Sequence, residues 1–361
     1  MKKTNLYQIH KSLGANMIDF AGYHMPISYG SIIKEHNCVR NNVGIFDVSH
    51  MGEFLVEGDN AENFLQYCCS NDINKLFIGR AQYNYFPNSN GGVIDDLIIY
   101  KLEEKKYLLV VNASNIEKDW EHLNFLNKKF NAKLKNISDA ISLLSIQGPN
   151  STKLLNKISD FNFEALKNYM SCITSIAGIK KTIIASTGYT GAGGYEIYCD
   201  KKNVKLIWNT LLNEGEKLNI LPIGLAARDS LRIEMGYCLY GNEIDENTSP
   251  IEAGLTWITK TDTNFYGSKR IKEDLKYGVR HKIIGIETED RIIPRNGNIV
   301  FNSEKKEIGR ITSGTFSPTL KRPIGIAFIS KDNLNYNEEI LIDNNRKIFK
   351  AKISSLPFIK S

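Results

Sequence analysis

Glu53-Phe54-Leu55-Val56-Glu57 alternates in character from residue to residue, and two residues later the chain enters 59–69, which opens on a capping Asp59 and groups Phe64, Leu65 and Cys68 at helical spacing. A period of two gives way directly to a period of 3.6. Further strand patterns lie at Tyr107-Leu108-Leu109-Val110-Val111 and Lys282-Ile283-Ile284-Gly285-Ile286, and further helical patterns at 205–217 and 225–235. Strands and helices mix without a regular strand–helix rhythm. This predicts an α+β chain of mainly antiparallel sheets with flanking helices, not a doubly wound parallel sheet.

Beyond about Arg280 the helical signals stop, and short strands alternate with turns at Asn296-Gly297-Asn298, Ser313-Gly314 and Asp343-Asn344-Asn345. A small β-barrel-like domain is expected there, after a polar linker at 269–282. The resulting division is 1–278 followed by 279–361.

The 361 residues are 42% hydrophobic, enough for a substantial core. No stretch approaches the roughly 18 apolar residues of a membrane span, and no apolar signal core follows Met1-Lys2-Lys3, so a cytoplasmic protein without a membrane partner is expected. Six dispersed cysteines read as buried reduced thiols, and neither they nor the six histidines have metal-site spacing, so no metal is expected. The net charge of +6 is uneven: 259–361 carries 20 Lys/Arg against 12 Asp/Glu. Without interleaved aromatic and basic clusters this reads as a solvated surface, not a nucleic-acid site.

Four segments stand out chemically. Gly91-Gly92-Val93-Ile94-Asp95-Asp96-Leu97-Ile98-Ile99-Tyr100 is an apolar strand interrupted by two carboxylates on opposite faces. Each needs a partner or a ligand, and capping of the preceding turn is the structural alternative, with Asp95 the better turn holder. Ser186-Thr187-Gly188-Tyr189-Thr190-Gly191-Ala192-Gly193-Gly194-Tyr195-Glu196 packs glycines around Tyr189 before a strand carrying Glu196; it suits either a close ligand approach or a plain hairpin turn. Arg228 and Arg232 lie one turn apart on one face of a helix, where surface exposure is the ordinary outcome. Finally, 240–250 and 312–320 read as long polar loops.

Taken in order, Phe46-Asp47-Val48-Ser49-His50-Met51, Gly91 to Leu97, Gln147-Gly148-Pro149, Gly188-Tyr189-Thr190-Gly191, Ala227 to Arg232 and Thr312 to Leu320 resemble the glycine cleavage T-protein family from Leu6 to about Phe358. The resemblance implies a three-domain cloverleaf around a central folate cavity, with 1–50 and 140–278 forming one subdomain, 51–139 a second, and the C-terminal barrel a third. It also implies an aminomethyltransferase: the methylene carbon of an aminomethyl group on the lipoyl arm of H-protein passes to tetrahydrofolate, giving 5,10-methylenetetrahydrofolate, ammonia and dihydrolipoyl H-protein. Lipoylated H-protein would be its partner, with the P- and L-proteins as functional companions. By motif position Asp96 resembles the key carboxylate beside the reactive folate nitrogens. Tyr83, Asn112, Tyr189, Glu196 and Arg228 resemble the other folate-contacting positions, Glu196 at the pterin and Arg228 suited to the anionic tail.

Ala192 stands where the family usually has Glu, Tyr23 where it usually has Trp, and the end Phe358-Ile359-Lys360-Ser361 is short. Two alternatives remain alongside. One is a folate-dependent demethylase acting on a sulfonium or methylamine donor. The other is a non-catalytic folate-binding protein, whose Lys-Gly-Cys-Tyr type signature is replaced here by Thr187-Gly188-Tyr189-Thr190-Gly191.

Overall fold

The strand at Gly52–Glu57 and the helix at Ala61–Cys68 both form, one residue or two from their expected limits. They belong to a computed structural model that describes residues 1–289, 291–335, 339–344 and 346–360. The chain folds as two compact units, one comprising Met1–Gln66, Asp72–Asn84 and Asp96–Arg228, the other Tyr67–Asn71, Tyr85–Asp95 and the remainder from Asp229.

The first unit contains a six-stranded sheet in the order Ser171–Ile176, Ile179–Ala185, Gly194–Asp200, Ile141–Gln147, Gly44–Asp47, Leu221–Pro222. All neighbours are antiparallel except the short Leu221–Pro222 beside Gly44–Asp47. Alternate residues Leu144, Ile146, Ile184 and Ile197 pack with Trp208 and Leu211 of the helix Val204–Gly215, removing one sheet face from water. The hairpin Asn16–Phe20 and Tyr23–Ser28 turns through Ala21 and Gly22, both at positive φ, as a two-residue connection demands. A five-stranded sheet runs Ala81–Pro87, Val93–Glu103, Lys106–Val111, Gly52–Glu57, Lys133–Asn136, with successive strands from Val93–Glu103 onward antiparallel.

In the second unit His281–Thr288, Arg322–Ser330, Glu307–Ser317, Ile299–Phe301, Glu339–Asp343 and Ile348–Ser354 close into a barrel. Its interior is filled by Ile284, Ile286, Val300, Ile311, Ile329 and Ile342, alternate residues of successive strands.

Several local expectations change. Polar residues 269–282 include the helix Ser268–Tyr277, whose Ile271 is fully buried; one inward aliphatic among charges leaves little hydrophobic period to read. Ser313-Gly314 is not a turn, and 312–317 is not a loop. These residues continue the strand Glu307–Ser317 past a register shift between Ile311 and Ser313, with Thr312, Ser313 and Ser317 buried. The turn at 343–345 has Asn344 Oδ1 accepting from the Arg346 and Lys347 amides, while Asn345 lies outside the described residues. All six cysteines are free thiols, five buried and Cys172 half-buried. Among the described residues no helix is long and apolar enough to cross a membrane, and no three His, Cys, Asp or Glu side chains gather as metal ligands.

Candidate active site

The strand Val93–Glu103 separates its two aspartates as strand alternation requires: Asp95 is fully buried and Asp96 half-buried. The turn before the strand is closed by Asn88, whose Oδ1 accepts from the Asn90 amide at 2.9 Å and the Gly92 amide at 3.0 Å.

The structure brings Tyr83, Asp96 and Asn112 together. Tyr83 Oη donates to Asp96 Oδ2 at 2.8 Å, and Asn112 Nδ2 donates to Asp96 Oδ1 at 2.8 Å. Donors on both oxygens fix the plane of the carboxylate.

Four residues along the same strand, and so on the same face, Tyr100 reaches toward Glu196. Tyr100 Oη lies 2.8 Å from Tyr198 Oη and 3.1 Å from Thr187 Oγ1. Glu196 Oε2 accepts from Thr187 Oγ1 at 2.5 Å and from Tyr100 and Tyr198 at 3.4 Å each. Burial holds the Glu196 carboxyl above the ordinary carboxylate range, against the pull of the Thr187 hydrogen bond and the Arg228 charge. Burial likewise raises the phenols of Tyr100 and Tyr198 well above normal, so they act as neutral donors.

The glycine-rich segment 186–193 does join two antiparallel neighbours as a hairpin, and it also shapes the site. Gln147 Nε2 donates to the Thr187 carbonyl at 3.1 Å, and Thr190 Oγ1 donates to Gln147 Oε1 at 2.8 Å. A Cβ on Gly188 would stand 2.1 Å from Gln147 Oε1, so only glycine admits this clamp. The loop thus presents Tyr189, whose ring lies 4.4 Å from the Arg228 guanidinium. Arg228 sits on the helix Leu225–Glu234, which is anchored at its start where Glu35 Oε2 accepts from the Gly224 amide at 2.8 Å.

Arg232 departs from the surface reading. It is 1% exposed, with its guanidinium bonded to Asp229, to Glu243 Oε2 at 2.9 Å and to Ser313 Oγ at 2.7 Å. Its partners lie up to 81 positions away in sequence, beyond the reach of helical spacing.

Sequence reasoning did not single out Thr187, Tyr100 and Tyr198 around Glu196, or Gln147 as a clamp. The signal for Tyr100 was its place on the Asp96 face, and for Tyr198 its place two residues from Glu196 on one face of the strand Gly194–Asp200.

Residues 6–263 match the GCVT N-terminal domain, and 281–360 match the glycine cleavage T-protein C-terminal barrel domain. The chain belongs to the glycine cleavage T-protein family. Within that family it is 44% identical to an aminomethyltransferase of Flavobacterium psychrophilum and 46% identical to one of Porphyromonas gingivalis, each comparison covering 100% of both chains. The crystal structure of glycine cleavage system aminomethyltransferase T from Bartonella henselae is also similar. It superposes with a TM-score of 0.93 at 32% identity, covering 99% of this chain and 98% of that one. The α+β class and the barrel-forming C-terminal region of this T-protein family member agree with the expected fold.

Proposed function

We infer that this chain is an aminomethyltransferase of the glycine cleavage system, moving the methylene carbon of an aminomethyl group to tetrahydrofolate and releasing ammonia. Full-length identity of 44–46% with aminomethyltransferases carries this reading. The demethylase and binding-module alternatives have no observation in their favour.

The site residues suit a folate. Glu196 offers Oε1 to the donor-rich edge of a pterin, while three hydroxyls hold its other oxygen. Arg228, backed by Tyr189, offers a planar cation to the carboxylates of the tail. Tetrahydrofolate, when bound, supplies the two nitrogens that take up the carbon. Asp96 is assigned as the catalytic carboxylate, oriented by Tyr83 and Asn112. As ammonia leaves, the methylene carbon becomes cationic, and a negative charge already fixed in place stabilises it without reorganisation.

Lipoylated H-protein is the proposed carrier, working with the P- and L-proteins. A cytoplasmic setting goes with this reading, since the dihydrolipoyl product and six free cysteines both call for a reducing compartment. Separate six- and five-stranded sheets support a division of 1–278 into interleaved subdomains, 1–50 with 140–278 and 51–139, ahead of the barrel in 279–361. The test is ammonia release and methylenetetrahydrofolate formation from aminomethylated H-protein, with the native chain beside Asp96→Asn. Inactivity of the native chain would overturn the function, and full activity of the variant would overturn the role of Asp96.

A further inference from the structure

His50 and Glu53 are each 1% exposed, and His50 Nδ1 and both Glu53 carboxyl oxygens have no hydrogen-bond partner among the described residues. Buried polar atoms are nearly always paired, because leaving one unsatisfied costs about 1–3 kcal/mol. Three such atoms on residues three apart need an explanation.

Their placement is firm. The Glu53 amide donates to Ser138 Oγ at 2.9 Å, and its carbonyl accepts from the Ile137 amide at 2.9 Å. Glu53 pairs with Val110, which pairs with Ile98 on the next strand, so all three share a sheet face. Alternation puts Asp96 and Tyr100 on that face too, with Glu53 two strands, roughly 10 Å, from Ile98. His50 lies against the rings of Phe20, at 5.5 Å, and Tyr23, at 6.3 Å, which face each other across the hairpin turn. Burial first, then the charges of Asp139 and Glu53, raise the Tyr23 phenol, and the Glu53 charge acts on Tyr198 as well.

We propose that His50 Nδ1, the Glu53 carboxyl and the rings of Phe20 and Tyr23 form a receiving site for ammonia, the nitrogen product of the reaction. The proposal rests on the aminomethyltransferase reading. An imidazole lone pair and a carboxylate accept from N–H groups, and aromatic faces attract a small cation. Burial pushes the Glu53 acid well above the usual carboxylate range, and the His50 imidazole is held down by burial first and by Arg228 second. Neutral ammonia then takes the Glu53 proton to give an ammonium–carboxylate pair. One N–H bond forms and one O–H bond breaks, with no change in total charge.

Because the reaction is reversible, ammonium is a substrate in the opposite direction. The test is the rate of aminomethyl formation from methylenetetrahydrofolate, dihydrolipoyl H-protein and ammonium chloride in the native chain, E53Q and H50Q. Glutamine keeps the shape of the neutral acid, so E53Q is expected to fold. The expected result is a KM for ammonium raised roughly ten- to hundredfold in E53Q, as for loss of a charged hydrogen bond, with the folate KM within about twofold of native. An unchanged ammonium KM in both variants would overturn the proposal. As a direct arm, ammonium chloride titrated into the native chain alone should shift the His50 ring nitrogen resonances saturably. Sodium chloride should not, and E53Q should lose the response; absence of a saturable shift in the native chain also overturns the site. If the native chain turns over in neither direction the functional reading fails, while the titration still decides the site.

Discussion

Asn112 Nδ2 donates to Asp96 Oδ1 at 2.8 Å, and its second contact, at 3.1 Å to the Asp96 carbonyl, pins the same amide to the strand backbone. The carboxylate orientation is therefore set from the neighbouring strand as well as by Tyr83.

Asp96→Asn should lower methylenetetrahydrofolate formation by about 10²–10³-fold, the usual loss when a preorganised electrostatic group is removed. Asn112→Ala should lower it less, on the order of tenfold, since Tyr83 still holds one oxygen. Steady-state rates with aminomethylated H-protein check both, and equal losses would contradict the assigned hierarchy.

Glu196→Gln should weaken folate binding by roughly ten- to hundredfold, because an amide is a poorer acceptor and offers donors to Thr187, Tyr100 and Tyr198. Titration of a reduced folate followed by calorimetry measures this directly, and an unchanged dissociation constant would remove Glu196 from the site.

His50 is held down to about 4 by burial first and by Arg228 second, with Asp47 opposing. Its ordinary value is about 6.5. A lowered histidine pKa means that the unfolded chain binds the extra proton, so this stability is present above 6.5 and is lost as pH falls toward 4. The difference amounts to about 3 kcal/mol. Denaturant unfolding at pH 7.5 and pH 4.5 should show the gap between native chain and His50→Gln narrowing or reversing in acid; a pH-independent gap would contradict the assignment.

Arg232→Met should destabilise the protein by about 3–5 kcal/mol, since it strands the fully buried Glu243 carboxylate without its cation. Thermal unfolding measures the change. The paired variant Arg232→Met with Glu243→Gln should recover part of it, which a purely steric defect would not.

Much of the frame was legible locally. Alternation at Gly52–Glu57 and Lys106–Val111, and the helical spacing of Val204–Gly215, depend on which face meets the core, and that pattern is written into neighbouring residues. The same logic assigned Asp95 and Asp96 to opposite faces. Alternation alone does not reveal that Glu53 is buried like its neighbour Phe54, because both faces of that strand are covered.

What the sequence by itself determined is therefore the mixture of strands and helices where apolar periodicity is strong, the α+β class, the barrel-forming tail and, through its ordered motifs, the family. Only the tertiary structure decided what surrounds each charged group. Tyr100 meets Tyr198 across 98 positions, and Arg232 meets Ser313 across 81. Such pairings depend on strand register and helix placement, which are set by the burial of whole faces, so no local spacing encodes them.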